Sequence, residues 1–219
     1  MVTTIDRPPT RPAPPDPRRP WWHSGAKVLI ACAAAAFLGV AGGLVASRRT
    51  TPSATSIDVR FLQDMRWHHD QGVGMAMSVL GRADTSAAVH QRAREIIADQ
   101  QLENGAMVEL LHSFRAAEAN ETDVAMEWMP VMPTTTPATM PGMAQPGDLT
   151  RLAELQGKEA DKLFLTLMIA HHEGGIHMAE YAAVHAHVQR VRDIANGIVT
   201  SQQSEINDLT QLLAQLSGK

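Results

Sequence analysis

Apolar residues recur through most of the chain at the three- and four-residue spacing of a helix. The pattern predicts one helix over Ile57–Gly81 and a second over Ser86–Glu118, separated by "RADTS", whose side chains suit a helix start. It breaks at "MEWMPVMPTTTPATMPGMAQPGD", where prolines forbid regular structure. It resumes from Leu149 to Leu216, with a turn predicted near His185–Gln189. A different pattern precedes all of this. Val28–Ala46 is nineteen residues without a charge, about 28 Å as a helix, enough to cross a bilayer.

These patterns divide the chain. Residues 1–27 hold "RPPTRPAPPDPRRP" and predict a disordered, polyproline-like tail, residues 28–46 a transmembrane helix or uncleaved signal anchor, and 47–56 a linker. Residues 57–118 and 149–216 are helical hairpins within one folded domain (57–216), joined by a Met/Pro-rich linker over 119–148. Five basic residues precede the apolar run and Arg48 and Arg49 follow it, so the positive-inside rule places the N-terminus in the cytoplasm and the C-terminal domain outside. Trp21 and Trp22 suit the membrane interface. A cleaved signal peptide is the alternative, although the run exceeds the usual length and lacks a clean cleavage site. "LIAC" at Leu29–Cys32 resembles a lipoprotein box but stands at the start of the run, so Cys32 reads as an inert residue of a membrane helix.

The two hairpins are copies of each other. "FLQDMRWHHDQGVGMAM" aligns with "FLTLMIAHHEGGIHMAE", and "IIADQQLENGAMVELL" with "IVTSQQSEINDLTQLL". A duplicated hairpin is a natural source of a four-helix bundle, because one hairpin cannot bury both its apolar faces. The fold class expected is all-α: a ferritin-like four-helix bundle, preceded by one transmembrane helix. Composition agrees, with one tyrosine against twelve methionines. From Thr50 onward twelve Lys and Arg face twenty-one Asp and Glu, which argues against a nucleic-acid partner. The single cysteine excludes a disulfide framework and a cysteine-built zinc site.

Phe61, Met65, His68, His69, Gly72, Met75 and Ala76 fall within one helical stripe about 80–100° wide, as do Phe164, Met168, His171, His172, Gly175, Met178 and Ala179. Both histidine pairs are therefore expected to face the bundle interior, and a metal site built on His68, His69, His171 and His172 with Met65, Met75, Met168 and Met178 is the candidate chemistry. Thioether selects Cu(I), and imidazole suits either oxidation state of copper. The linker adds Met126, Met129, Met132, Met140 and Met143, which a flexible tract could use to capture Cu(I). The plainer reading stands beside this: methionine at helical spacing is common core filler, and duplication copies structural histidines along with functional ones.

Asp70 and Glu173 lie about 100° from the stripe and read as surface carboxylates or as groups orienting a histidine, a role open also to Gln101, Glu103, Gln203 and Glu205. His177 reads as peripheral, and His90, His112, His185 and His187 carry little signal. "HHEGGIH" fails as a metalloprotease motif because His172 and His177 are five residues apart. A di-iron site needs two E-x-x-H motifs, and only Glu109–His112 has that form. No nucleophile motif is present, so an enzyme is not expected, with a metal-dependent redox activity the weakest alternative.

The repeated M-x-x-HH-x-x-x-x-x-M-A followed by QQ-x-E, with "MPGMAQPGDL" between the copies, resembles the bacterial domain of unknown function family 305 over residues 57–216. That resemblance implies a ferritin-like helical bundle, often exported or membrane-anchored. It also implies copper as cofactor, since some relatives are associated with copper binding and resistance through His and Met residues. The expected protein is thus a single-pass, extracytoplasmic copper-binding protein that buffers or transfers the metal. Its partners would be the metal ion, the membrane and a possible second copy of itself. The alternative is a non-enzymatic interaction or pH-sensing module whose histidines are structural.

Overall fold

The computed structural model describes residues 29–30, 32–37, 51–130 and 135–218. Residues 1–50 and 51–219 form separate units. In the first, Leu29, Ile30 and residues 32–37 are helical and exposed. The predicted tail and most of the predicted span over 28–46 lie outside the described residues. No described helix is long and apolar enough to cross a membrane.

Residues 51–218 contain five α-helices: α1 (Ile57–Leu80), α2 (Ala87–Ser113), α3 (Pro146–Glu154), α4 (Gly157–His185) and α5 (Gln189–Leu216), with a 3-10 turn at Pro137–Thr139. Among the described residues there is no strand, only an isolated bridge between Ala125 and Thr135. Serines start the first hairpin's helices. Ser56 accepts from the Val59 amide and Ser86 from the Val89 amide, each satisfying one of the first turn's unpaired donors.

Two boundaries differ from the sequence pattern. The second helix ends at Ser113 rather than Glu118, because Arg115 takes a left-handed conformation that no helix continues through. The stretch predicted as one helix from Leu149 is broken after Glu154, and α4 begins only at Gly157, whose φ is +55°. Arg82 holds that break. Its guanidinium donates to the carbonyls of Leu152, Ala153 and Leu155, which the end of α3 leaves unpaired.

The hairpins α1–α2 and α4–α5 pack through α1 and α4, with α2 also touching α5. The core has two apolar clusters. Phe61, Met65, Met107, Met178, Ala182 and Val191 belong to the first, and Met75, Val79, Ile96, Phe164, Met168 and Leu209 to the second. Early α1 thus meets late α4, and late α1 meets early α4, so these helices run antiparallel and exchange roles across a pseudo-twofold axis. The histidines occupy the sequence between the clusters and make a polar layer across the middle of the bundle.

The described part of the linker packs against the bundle. Met126, Met129, Met140 and Met143 are all buried and pack into the first cluster with Trp128; Met132 lies outside the described residues. The buried Asp64 carboxylate organises this wrap by accepting from the Met126 amide (2.8 Å) and the Trp128 indole (2.9 Å), while Trp128 meets Phe61 edge-on.

Candidate metal centre

Helical periodicity puts His68, His69, His171 and His172 inside, and each is fully buried. His68 and His171 stack across the α1–α4 seam with ring centroids 3.8 Å apart. His172 lies 6.1 Å from His171. The histidine pairs of the two repeats therefore meet in one layer.

Each ring is anchored through Nε2. His68 donates to the Pro141 carbonyl (3.0 Å) and His171 to the His68 carbonyl (2.9 Å). A carbonyl can only accept, so both rings carry their proton on Nε2 and their lone pair on Nδ1. His69 pairs with Glu103 (2.7 Å) and His172 with Glu205, again through Nε2. An imidazole held at one nitrogen by a carboxylate or carbonyl and free at the other is the arrangement metal-ligating histidines use. All four Nδ1 atoms are buried without a hydrogen-bond partner.

Burial holds the stacked pair neutral. The His68 ring is pushed down to about 3, first by loss of water and then by the His69 and His172 charges. His171 is lowered well below the usual histidine range, by burial first and by His68, His172 and His69 after it. Neutral imidazole is the form that binds metals.

Gln100 and Gln202, equivalent residues of α2 and α5, are buried in the same layer, and none of their amide atoms has a partner. Glycine makes their room. A Cβ on Gly72 would lie 2.5 Å from the Gln100 amide oxygen and 3.0 Å from His171, and one on Gly175 would overlap Gln202. Gly174, next to it, admits the linker backbone instead; a Cβ there would strike the Pro141 carbonyl and sit 2.6 Å from the Gly142 nitrogen.

Outside this layer the two halves diverge. Glu103 accepts from Ser201 (3.1 Å). The residue equivalent to Ser201 in the other half is Asp99, whose acidity is weakened by partial burial and then by the Glu205 and Glu103 charges. Met65 and Met178 lie in the first apolar cluster, Met75 and Met168 in the second, each buried on a flank of the imidazole layer. Among the described residues no three His, Cys, Asp or Glu side chains form a set that could hold an ion.

Asp70 accepts from Asn104 at the surface, while Glu173 and His177 are exposed. Of the residues expected to orient the histidines, Glu103 and Glu205 do so. Gln101 and Gln203 are exposed, and their neighbours Gln100 and Gln202 face inward. The repeat alignment contains both Gln pairs, but helix phase relative to α1 and α4 decides which is buried. The Pro141 carbonyl was not legible as a partner, since no side-chain type marks it.

Residues 58–213 match the family model described as Domain of unknown function (DUF305). Among solved structures, a DUF305 protein from Streptomyces coelicolor is 34% identical, with a TM-score of 0.68 over 75% of this chain and 96% of that one. A DUF305 fragment from Deinococcus radiodurans is 28% identical, with a TM-score of 0.63 over 75% and 99%. CopM in a Cu(I)-bound form is 25% identical, with a TM-score of 0.54 over 72% of this chain and 95% of that one. No curated protein matches the chain at a significant level. With the family model spanning both hairpins and the linker between them, the chain belongs to the DUF305 family.

Proposed function

We propose that this protein binds copper, as Cu(I), in the imidazole layer, and buffers or transfers the metal rather than catalysing a reaction. The observation that carries this is the set of four buried imidazoles, each tied at Nε2 and each with an Nδ1 atom that has no hydrogen-bond partner. A buried polar atom without a partner costs about 1–3 kcal/mol, and four in one layer ask for a ligand. The eight candidate ligands divide into imidazoles in the layer and thioethers on its flanks. Soft, low-coordinate Cu(I) accepts both donor types, whereas zinc is bound by His, Cys and carboxylate and makes no use of the thioethers. The similarity to CopM, solved with copper bound, supports copper over zinc.

A pH-sensing role fits less well, because the stacked histidines stay neutral far below the range in which such sensors work. The apolar run before residue 50 and its flanking charges support an extracytoplasmic, membrane-anchored setting.

The test is an anaerobic Cu(I) competition titration of the full chain against a chromophoric chelator. The variants are His68→Ala/His69→Ala/His171→Ala/His172→Ala and the volume-conserving pair His69→Gln/His172→Gln, with helicity followed by circular dichroism. Binding by the wild type that falls at least a hundredfold in the folded pair variant supports the reading. Binding that survives in both variants, or a wild type that leaves the chelator untouched, overturns it.

A further inference from the structure

The linker crosses the imidazole layer in one defined shape. Met140–Pro141–Gly142–Met143 forms a tight turn: the Met143 amide donates to the Met140 carbonyl (3.1 Å), proline holds the second position, and Gly142 has φ +76°. That is the pattern of a type II turn. Its central carbonyl, on Pro141, is unused by the turn and accepts from His68. One step on, the Gln71 side chain grips Ala144 at both ends, accepting from its amide (2.6 Å) and donating to its carbonyl (3.0 Å). Gly142 and Gly174 let the strap lie directly on α4; a Cβ on Gly142 would be 2.9 Å from the His171 Cα.

The layer is therefore closed differently on its two sides. His69 and His172 are held by carboxylates, and such charge-assisted bonds are about twice as strong as neutral ones. His68 is held by a neutral carbonyl on an irregular segment. Beside that segment lies a groove of about 390 Å³, lined by Trp67, Gln71, Ala138, Met143, Pro146 and Leu149 among others. Met143 lines this opening and also packs in the core cluster that contains Met65, Met140 and Met178. It joins surface to interior.

Resting on the copper-binding reading, we propose that the Met140–Ala144 strap is the gate of the imidazole layer, and that Met140 and Met143 are its carrier ligands. A soft cation is taken at the groove by the Met143 thioether, joined by Met140. It passes to the imidazole Nδ1 atoms as the strap lifts from His68 and Gln71. Reclosure returns the Pro141 carbonyl to the His68 Nε2–H, which again presents the Nδ1 lone pair inward.

Ag(I), a soft cation without redox chemistry, is the probe, mixed with the full chain in stopped flow, with hydrogen exchange of the Ala144 amide followed in parallel. Gly174→Ala prevents the strap from seating, and Gln71→Ala removes its two-point grip. Both are expected to accelerate association at least tenfold and to speed Ala144 exchange. Met140→Leu/Met143→Leu keeps the apolar volume and is expected to slow association about tenfold. In the wild type the ε-methyl resonances of Met140 and Met143 should shift on addition of Ag(I). Association rates that neither strap variant changes, or that the double leucine variant leaves as they are, overturn the gate. A wild type that binds no Ag(I) removes the copper-binding reading and the gate together, whereas binding with rates indifferent to the strap removes the gate alone.

Discussion

His68 and His171 differ from His69 and His172 in what holds them. The first pair leans on backbone carbonyls, stacks ring on ring and is buried away from any carboxylate partner. The second pair is tied to Glu103 and Glu205, which stand at the partly exposed edge of the layer. Adjacent positions in a helix, copied once by duplication, have thus become two kinds of site. A helix turns 100° per residue, so one histidine of each pair faces the opposite hairpin and the other faces its own second helix. The difference teaches that a doubled HH motif supplies two environments, one fixed by charge and one held by neutral backbone carbonyls.

Acid should break this comparison most severely. The carbonyl-held rings have folded-state affinities for protons depressed below the ordinary 6.5, to about 3 for His68. Unfolding lets them take up protons. Their stabilising contribution is therefore present in full above about pH 6.5 and is lost as pH falls from there toward the folded value. A proton taken up only on unfolding contributes a slope of about 1.4 kcal/mol per pH unit, so stability should fall steadily as pH drops from about 6.5 to about 4.5. Urea midpoints of the metal-free protein between pH 7 and 4.5 should show this slope, and His171→Gln should roughly halve it. An unchanged slope in that variant would show that other groups govern acid unfolding.

Glycines sharpen the contrast between strap and helix. Gly142→Ala places a side chain at positive φ against α4 backbone, where nothing can yield, and is expected to cost about 3 kcal/mol or more. Gly72→Ala meets side chains, the Gln100 amide and the His171 ring, rather than backbone, and it gains about 1 kcal/mol of helix propensity. Its net effect should stay within about 1 kcal/mol. Denaturant unfolding of the two variants compares them directly; equal losses would mean that the strap's fit on α4 is no tighter than a side-chain contact.

On the carboxylate side, Glu205→Ala strands the buried His172 Nε2–H and should cost about 2 kcal/mol. Glu205→Gln keeps an acceptor and should recover more than half of that. If alanine and glutamine behave alike in thermal or urea unfolding, the His172–Glu205 bond does not hold the ring.

Much of this is legible in the sequence. The repeat and the inward face of both HH motifs follow from spacing alone, because a 3.6-residue period and a duplicated pattern leave few ways to bury four apolar faces. The linker is not. Its methionines look like a tether when read as composition, and only Asp64, itself an unremarkable acid within α1, shows why Met126 and Trp128 fold back. Backbone acceptors such as the Pro141 carbonyl have no letter in the sequence. The turn "MPGM" announces its own shape but not the histidine it will meet.

The smallest expected effect concerns a place where the two halves use different chemistry beside equivalent carboxylates. Ser201 donates a hydroxyl proton to Glu103. Asp99, its counterpart, brings a second negative charge toward Glu205, and partial burial first and then that charge weaken its acidity. A raised folded-state value means that ionised Asp99 opposes folding; the penalty is absent below the ordinary carboxylate range and grows as pH rises through the folded value. Asp99→Ser, which makes the second half copy the first, should therefore stabilise the protein near neutral pH and leave it unchanged near pH 3.5. Asp99 is exposed, so screening limits the gain to about 0.5 kcal/mol. The variant also separates charge from geometry in metal capture. If Asp99→Ser leaves Ag(I) association unchanged at low salt while Met140→Leu/Met143→Leu slows it, the acidic edge anchors the histidines and the strap side admits the ion. If the serine variant is the slower of the two, the carboxylates are the entrance and the strap is a fixed wall.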